Sequence, residues 1–369
     1  MSKFLSNNLK KVEAYVPGEQ PQDKSYIKLN TNESPFPPSS SVIKAINEKA
    51  TQSLRLYCDP TCKVLKEKLA KVYCTEAENV FVGNGSDEIL NFIFMAYGEK
   101  GVAYADITYG FYSVFAKLYN LNSTVIPLKE DYSLDYKAFF NQNKLRVIAS
   151  PNAPTGIEVS ASELEEILIS NKESIVVVDQ AYVDFGGTDV NYLTKKYDNL
   201  ICTYTFSKSR SMAGARLGFA IANKSLILDL EKIKYSTNPY NVNTLTQIAG
   251  YNALVDDEYY KNNAKLIQSN RQFTTLELEK LGFEVLPSKA NFVFAKNKKI
   301  SGKKLYLKLK EQGVLIRHFD KERISDFIRI TIGSLEEMQI FINKIKNILG
   351  ELKWDKQAYQ EKLKKQILI

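Results

Sequence analysis

The chain has 369 residues, 44% of them hydrophobic, and its 50 basic and 42 acidic residues give a formal net charge of +8. At roughly 150 residues per domain, this length predicts about two globular domains with a sizeable core. The basic residues are scattered and interleaved with acids, and no aromatic-basic platform accompanies them. This pattern favours a solvated lysine-rich surface over a nucleic-acid groove.

The apolar runs and the cysteines indicate whether the protein is secreted, membrane-bound or metal-binding. The N-terminal stretch "MSKFLSNNLKK" lacks the apolar run of a signal peptide, and the longest apolar run, "ILNFIFMAY", is about half of what a membrane helix requires. We therefore expect a soluble, cytoplasmic protein. The four cysteines show no CxxC spacing and His318 is the single histidine, so we expect free thiols and no metal site.

In chain order, short β-rich runs alternate with helical patterns up to residue 222. This alternation predicts an α/β architecture with a largely parallel sheet. The predicted strands are "NVFVG" (79–83), "GVAYA" (101–105), "LRVIAS" (145–150), "SIVVVD" (174–179), "LICTYTF" (200–206) and "LGFAIA" (217–222).

A long helical stretch follows, from about Thr244 to Leu281. Further strands among lysine-rich helical segments indicate a second, smaller α+β unit; they are "ANFVFA" (290–295), "GVLIR" (313–317) and "FIRITIG" (327–333). The end of the chain, "ELKWDKQAYQEKLKKQILI", is typical of an amphipathic helix, to which we assign no role. We predict three segments. Residues 1–30 form an N-terminal arm that is part of the small domain, residues 31–260 form a large domain, and residues 261–369 form the small domain.

Polar residues follow the predicted strands at the edge of the sheet where ligands collect in α/β proteins. After "NVFV", the segment "GNGSDE" combines small residues with a helix start at Ser86, Asp87 and Glu88. Such a start suits an anion, although a plain glycine turn is the commoner meaning of the segment. After "RVIA", the two prolines of "SPNAPTG" make Asn152 a rigid hydrogen-bonding group, or only stiffen the loop.

Two charged residues stand at strand ends where burial is costly. Asp179 would end the apolar strand "SIVVVD" and needs a cation or a donor opposite it, unless it caps the next helix. Lys208 follows "LICTYTF" in the segment "TFSKSRSMAGARLGF", eight residues before Arg216. A lysine held out of bulk water has a lowered pKa, and its amine becomes a nucleophile toward carbonyl groups.

Together these residues match one cofactor. Lys208 supplies an amine for an aldehyde, and Asp179 supplies an acid for a ring nitrogen. The turn at 85–87, with Arg216, supplies an anion site for a phosphate. An aldehyde, a pyridine nitrogen and a phosphate are the reactive parts of pyridoxal 5'-phosphate, so the sequence predicts an enzyme that uses this cofactor.

The same segments resemble the core blocks of the fold-type I, class I/II aminotransferases, in particular the histidinol-phosphate aminotransferase branch. The resemblance extends from "LNTNESPFPP" (29–38) to "FIRITIGSLEE" (327–337). It implies a large domain with a mostly parallel seven-stranded sheet and a smaller α+β domain. It also implies amino transfer between glutamate or 2-oxoglutarate and a small phosphorylated carbonyl compound, with imidazole-acetol phosphate as the first expectation.

The resemblance implies a role for each matching residue. Lys208 would bind the cofactor covalently and move a proton between the substrate α-carbon and the cofactor, while Asp179 would keep the ring nitrogen protonated. Tyr182 and Asn152 would hydrogen-bond the ring hydroxyl, and Tyr109 would cover the ring face. The phosphate would be held by Gly85, Ser86, Asp87, Ser207 and Arg216.

Residues outside these blocks receive roles in the same way. Tyr57 would reach the phosphate of the neighbouring subunit, which implies a homodimer with shared sites. Arg329 would bind the anionic group of the substrate, and Arg317 would favour a phosphorylated one, although strand arginines form surface ion pairs at least as often. Tyr15 and Asn32 would close over the pocket.

Departures from the family pattern leave alternatives open. Ala153, Gln180 and Cys58 replace an asparagine, a glutamate and a proline, and "SRSM" after Lys208 is more polar than usual. His318 is more often a structural residue than a substrate contact in such a place. The alternatives are another phosphorylated ketone such as dihydroxyacetone phosphate, an aromatic 2-oxo acid, or decarboxylation of threonine phosphate. A DNA-binding regulator is disfavoured, since only about thirty residues precede "LNTNESP".

Overall fold

The structure is a computed structural model that describes residues 2–22 and 26–350. The amphipathic helix predicted for "ELKWDKQAYQEKLKKQILI" lies outside these residues. Within them, every helix is too short or too polar to cross a membrane.

The described chain divides into two compact units. The domain boundaries predicted from the sequence, after residues 30 and 260, stay a prediction. The first unit comprises the residues up to Pro17, Phe36–Lys265 and Pro287–Ala290, and the second comprises Gly18–Pro35, Leu266–Leu286 and the described residues from Asn291 onward.

Strands and helices alternate through most of the chain. The strands are β1 Ile27–Lys28, β2 Val80–Gly83, β3 Val102–Ala105, β4 Ser123–Ile126, β5 Leu145–Ala149, β6 Val176–Asp179, β7 Leu200–Thr205, β8 Gly218–Ala222, β9 Phe283–Val285, β10 Phe292–Asn297, β11 Val314–Leu315, β12 Arg317–His318 and β13 Phe327–Thr331. The α-helices are α1 Asn7–Lys10, α2 Ser40–Ala45, α3 Glu48–Gln52, α4 Lys63–Val72, α5 Gly85–Tyr97, α6 Phe111–Leu118, α7 Ala161–Ser170, α8 Lys224–Thr237, α9 Thr244–Val255, α10 Asp257–Lys280, α11 Gly302–Glu311 and α12 over 335–350. Short 3-10 helices are Ser53–Arg55, Ala77–Asn79, Tyr136–Phe139, Val183–Phe185, Asn191–Lys195, Ala213–Ala215 and Glu322–Ile324.

In the first unit, seven strands of the described chain form one sheet in the order β2-β8-β7-β6-β5-β3-β4. Neighbouring strands pair in parallel except β8, which is antiparallel to β2 and β7. The predicted α/β fold with a mostly parallel seven-stranded sheet is confirmed. The sequence missed β4, because this edge strand is largely exposed and lacks the apolar run of its neighbours.

Both faces of this sheet are covered, as its continuously apolar strands require. Along β6, Val176 and Val178 pack into one apolar cluster and Val177 packs into another. Helices α4, α7 and α9 contribute to the first cluster, and α5, α6 and α8 contribute to the second. Burying one such side chain stabilises the fold by roughly 1.5 kcal/mol or more, so the strands are fixed in register and their ends are fixed in space.

One edge of the sheet collects the polar segments. Strands β2, β6 and β7 end there at Gly83, Asp179 and Thr205, and the antiparallel β8 begins there at Gly218. The residues just after β2, β6 and β7 and those just before β8 therefore lie close together, although they are far apart in sequence.

The second unit holds an antiparallel sheet in the order β12-β13-β10-β9 and a short parallel pair, β1 and β11. The segment "GVLIR", predicted as one strand, is divided between these sheets. Val314 and Leu315 pair with β1, whereas Arg317 pairs with β13. Strands β1 and β9 were missed because two or three residues are too few for a periodic pattern.

The helical stretch predicted from Thr244 to Leu281 has the expected type but is not continuous. The structure has two helices here, α9 and α10, with a break at Asp256. The Asp256 carboxylate accepts a hydrogen bond from the Ser41 amide at 3.2 Å. This residue therefore bonds to another segment instead of continuing the helix.

Candidate active site

Asp179 is the buried acid of the sheet edge, with 5% of its surface exposed. Its Oδ2 accepts a hydrogen bond from the Tyr112 hydroxyl at 2.8 Å, and its Oδ1 accepts from the Thr203 hydroxyl and the Ala181 amide at 3.3 Å. Burial raises the pKa of Asp179 to about 6, although these donors oppose the shift. No cation of the described residues pairs with this carboxylate, so it suits a cationic N–H group of a ligand.

Tyr112 and Thr203 were missed in the sequence. Tyr112 lies on α6, is fully buried, and has the pKa of its hydroxyl raised well above the usual range by burial and by Asp179. It therefore acts as a donor to the carboxylate. Thr203 is the register partner of Asp179 across β6 and β7. No local pattern marks either residue, because Tyr109 precedes α6 and the contact of Tyr112 with Asp179 arises from packing.

Arg216 and the first turn of α5 form a second group at this edge. Helix α5 begins at Gly85, and the carboxylate of Asp87 in its first turn lies 3.0 Å from Arg216 Nη2. Arg216 Nη1 lies 3.5 Å from the Ser207 hydroxyl. A guanidinium beside the positive end of a helix dipole suits a phosphate, which would share Arg216 with the Asp87 carboxylate.

Two glycines permit this close approach. Gly85 has a φ of +79°, and a Cβ there would lie 2.8 Å from Arg216 Nη2. A Cβ on Gly218 would lie 2.5 Å from the Ser86 amide nitrogen. A side chain at Gly85 would displace the guanidinium, and one at Gly218 would displace the first amides of α5. The glycines therefore keep these groups close enough together to contact one anion.

Tyr109 covers the same edge. Its hydroxyl donates to Asp87 Oδ1 at 2.7 Å, and burial together with Asp87 raises its pKa well above the usual range. Tyr15 of the N-terminal segment stacks on Phe111 with ring centres 4.3 Å apart, and its ring centre lies 6.3 Å from that of Tyr109. The structure thus brings together two aromatic residues that the sequence predicted to enclose a ligand.

Lys208 lies in a loop that the main chain closes. The Phe206 amide donates to the Leu217 carbonyl at 2.9 Å, and the Met212 amide donates to the Phe206 carbonyl at 3.1 Å. Lys208 is partly buried, and its Nζ lies 6.0 Å from the centre of the Tyr182 ring. The predicted amine and the predicted phenol are therefore neighbours.

Asn152 is at this edge, but its amide is engaged. Its Nδ2 donates to the Ile107 carbonyl at 2.9 Å and to the Thr155 hydroxyl at 3.0 Å, and its Oδ1 accepts from the Thr108 hydroxyl at 2.8 Å. An amide has two N–H donors, and both are used. Asn152 would have to exchange one of these partners to donate to a ring hydroxyl.

Tyr57 stands on the surface of the first unit. Its side chain is 82% exposed and stacks on Tyr240, with ring centres 4.5 Å apart. Leu54 and Leu56 beside it are exposed as well. A contact of Tyr57 with a second subunit stays a prediction.

The second unit carries the two predicted arginines on one sheet face. Arg317 of β12 is the register partner of Arg329 of β13. Their guanidinium carbons lie 5.6 and 5.5 Å from the centre of the Phe319 ring. Arg329 Nη2 also donates to the Asn30 carbonyl at 2.9 Å. Two planar cations around one ring give an arrangement suited to a carboxylate or a phosphate.

Asn32 and His318 make structural contacts within the second unit. The buried Asn32 accepts a hydrogen bond from the Thr331 hydroxyl at 3.1 Å, and its amide donates back to that hydroxyl oxygen at 2.9 Å. His318 Nε2 lies 2.8 Å from the Ser325 carbonyl, and its ring stacks on Tyr306. These contacts favour the structural role expected for His318.

The donor set of the first unit fits an organic cofactor. Among the described residues, no group of histidine, cysteine and carboxylate side chains could hold a metal ion, and the four cysteines are free thiols. The edge instead offers an amine at Lys208, a buried acid at Asp179 and an anion site at Arg216. Pyridoxal phosphate has a complementary group for each of them.

Comparisons with known proteins point to one family. A sequence profile of the family described as aminotransferase class I and II matches residues 24–345. A histidinol-phosphate aminotransferase of Brachyspira hyodysenteriae is 51% identical over 352 residues, which cover 95% of this chain and 99% of that protein. One of Clostridium botulinum is 47% identical over 354 residues, covering 95% and 100%. Among solved structures, the histidinol-phosphate aminotransferase of Sinorhizobium meliloti in complex with pyridoxal-5'-phosphate is similar in fold, with a TM-score of 0.85 and 22% identity over 95% of this chain and 99% of that one.

Proposed function

Because the chain belongs to the class I and II aminotransferase family, we propose that it is a pyridoxal-phosphate-dependent transaminase that converts imidazole-acetol phosphate into histidinol phosphate, with glutamate as amino donor. The curated relatives carry the name of this activity. They do not favour another phosphorylated ketone, an aromatic 2-oxo acid or threonine-phosphate decarboxylation. The substrates are small molecules, and the expected cytoplasmic location stays a prediction.

The buried Asp179 carries the proposal. When bound, pyridoxal phosphate supplies an aldehyde that takes up the amino group and a protonated ring that withdraws electrons from the α-carbon. Asp179 accepts hydrogen bonds from neutral donors only, so it is available to hold the proton on a ring nitrogen. Its burial makes this pairing stronger than the same contact in water.

The other residues of the edge bind, orient and exclude water. Lys208 would bind the cofactor covalently, and its amine would carry a proton at the substrate α-carbon. Tyr182, beside Lys208, would hydrogen-bond the ring hydroxyl, a role that Asn152 would share only after a change of partner. Tyr109 would cover the ring. Ser207, Arg216 and the amides of Gly85, Ser86 and Asp87 would hold the phosphate.

The arginines of the second unit account for the substrates. Arg329 binds the anionic group of either substrate in turn, and Arg317 adds a second guanidinium for the dianionic phosphate. Tyr15 lies beside Tyr109 and shields the ring from water. Asn32 is buried and bonded to Thr331 of β13, the strand that carries Arg329, so it supports that strand, and its role in closing the pocket stays a prediction.

Half-reactions test the proposal. Cofactor-loaded protein is mixed with histidinol phosphate without 2-oxoglutarate, and the loss of visible absorbance is followed; 2-oxoglutarate should then restore it. The control amines are phenylalanine and threonine phosphate, with carbon dioxide release measured in parallel. Faster carbon dioxide release from threonine phosphate than amine loss from histidinol phosphate would contradict the proposal.

We also propose that two copies of the chain share their sites. Tyr57 supports this, because an aromatic residue that is 82% exposed beside exposed Leu54 and Leu56 is typical of an interface. Lys208→Ala and Tyr57→Ala protomers, each inactive or impaired alone, should regain activity when they are mixed, since one hybrid site receives both native residues. Activity that never exceeds the sum of the separate variants would oppose shared sites.

A further inference from the structure

The polar segment after Lys208 has no role in the proposed function. Its first two residues, Ser209 and Arg210, are 8% and 7% exposed. Burying a hydroxyl and a guanidinium costs free energy unless both are bonded. Each of these side chains has a carboxylate partner, and the two carboxylates lie on different elements of the first unit.

Arg210 is joined to the start of α10. Its Nη1 lies 2.6 Å from Oδ1 of Asp257, which is in the first turn of that helix. Its guanidinium also lies 5.4 Å from the centre of the Tyr260 ring. The Tyr260 hydroxyl in turn accepts a hydrogen bond from the Ser39 amide at 2.9 Å. The arginine is therefore held by groups that are themselves fixed.

Ser209 is joined to the segment of Tyr182. Its hydroxyl donates to a carboxylate oxygen of Asp184. Asp184 belongs to the 3-10 helix Val183–Phe185, which follows Tyr182 directly. Ser209 is thus hydrogen-bonded beside Tyr182, and Arg210 forms an ion pair with the first turn of α10.

We propose that Ser209 and Arg210 are positioning residues that hold Lys208 in the orientation needed for covalent attachment of an aldehyde cofactor, with the Arg210–Asp257 ion pair as the main anchor. The inference rests on the proposed function, since it takes Lys208 as the point of attachment. In attachment, the amine and the aldehyde form one C=N bond and release one water molecule. Lysine has a flexible side chain, and a misplacement of about 1 Å reduces such a reaction roughly a hundredfold.

The test separates attachment from binding. Attachment is followed with pyridoxal phosphate by stopped-flow absorbance, and binding is measured with pyridoxine 5'-phosphate, whose alcohol cannot react with an amine. The variants are Ser209→Ala, Arg210→Met and Arg210→Lys. The matched control is Lys261→Met, because Lys261 also pairs with Asp257, at 2.7 Å, but is largely exposed and belongs to α10 instead of the loop of Lys208.

We expect the attachment rate to fall about tenfold in Ser209→Ala and further in Arg210→Met, with the Kd for pyridoxine 5'-phosphate within twofold of the parent protein. Arg210→Lys should restore part of the rate, and Lys261→Met should leave it unchanged. If Arg210→Met does not fold, Arg210→Lys tests the anchor, because an ammonium keeps a charge opposite Asp257 but cannot reproduce the guanidinium geometry. A rate in Arg210→Lys equal to that of the parent protein would then count against the anchor, and Ser209→Ala tests the bond to Asp184 separately.

Unchanged attachment rates in the Ser209 and Arg210 variants would overturn this inference, and so would an equal loss of rate and affinity. A failure of the proposed function looks different. If the cofactor assignment fails, the parent protein itself attaches no pyridoxal phosphate, and if only the substrate assignment fails, the parent protein attaches it but gives no half-reaction with histidinol phosphate.

Discussion

The two units arrange charge in opposite ways. At the sheet edge of the first unit, Asp87 is matched with Arg216, and Asp179 is matched with neutral donors. In the second unit, Arg317 and Arg329 are neighbours on adjacent strands and share the ring of Phe319. Balanced groups suit a cofactor that stays in one orientation, whereas clustered guanidinium groups suit anions that arrive and leave. The difference supports the proposal that the first unit holds the cofactor and that the arginines of the second unit recognise the substrates.

Loss of the buried acid should have the largest effect in this comparison. We expect Asp179→Asn to reduce kcat about a thousandfold or more, because an amide cannot hold the positive charge on the ring nitrogen. Single-turnover rates with glutamate measure this. Asp189→Asn is the matched control, since Asp189 is a partly buried carboxylate of the same unit that accepts a hydrogen bond from Tyr204. Equal losses of rate in both variants would mean that the substitutions act on folding and not on the ring nitrogen.

The raised pKa of Asp179 also predicts a pH dependence of stability in the cofactor-free protein. The pKa of Asp179 is about 6 in the folded protein and 3.8 for an unperturbed aspartate. Between these two pH values the native carboxyl is still protonated, whereas the unfolded one is ionised. The free energy of unfolding, relative to that of Asp179→Asn, should therefore fall by about 3 kcal/mol as the pH rises from 4 to above 6, at about 1.4 kcal/mol per pKa unit.

Denaturant titrations of both proteins across this pH range measure the difference. A difference that stays constant with pH, or that grows as the pH rises, would contradict the burial of this carboxylate.

The arginines of the second unit should show a split between substrates. Arg329→Ala should reduce kcat/KM roughly fiftyfold for glutamate and for histidinol phosphate, because charged hydrogen bonds to both anions are assigned to it. Arg317→Ala should affect histidinol phosphate alone. Steady-state kinetics with each substrate measure this, and Arg323→Ala, an exposed arginine of the same unit, is the control. An equal effect of Arg317→Ala on glutamate would remove the distinction between the two arginines.

The smallest effect is expected for the donor behind the acid. Tyr112→Phe removes one hydrogen bond from Asp179, which raises the pKa of the carboxyl further and leaves less of it ionised. We expect kcat to fall about tenfold near neutral pH and to recover partly at higher pH. The control is Tyr104→Phe, which changes a buried tyrosine of the same apolar cluster. A loss without recovery would indicate a packing defect instead.

Much of the sheet and of its polar edge could be predicted from the sequence. Lys208 and Asp179 were found because a charged residue directly after an apolar strand contradicts ordinary burial preferences. Tyr112 and Thr203 were missed because their contacts with Asp179 depend on how α6 and β7 pack against β6, which no local pattern records. Arg210 was noted only as a polar departure, since its partner Asp257 is distant in the chain and the pairing arises from the tertiary fold.

The central claim is that the cofactor is attached to the amine of Lys208, at the sheet edge where Asp179 is buried. Reduction of the pyridoxal-phosphate-loaded protein with borohydride, followed by peptide mass spectrometry, tests it most directly. The account predicts a single modified peptide, labelled on Lys208, and no label in Lys208→Ala. A label on another lysine, or undiminished labelling of Lys208→Ala, would contradict it.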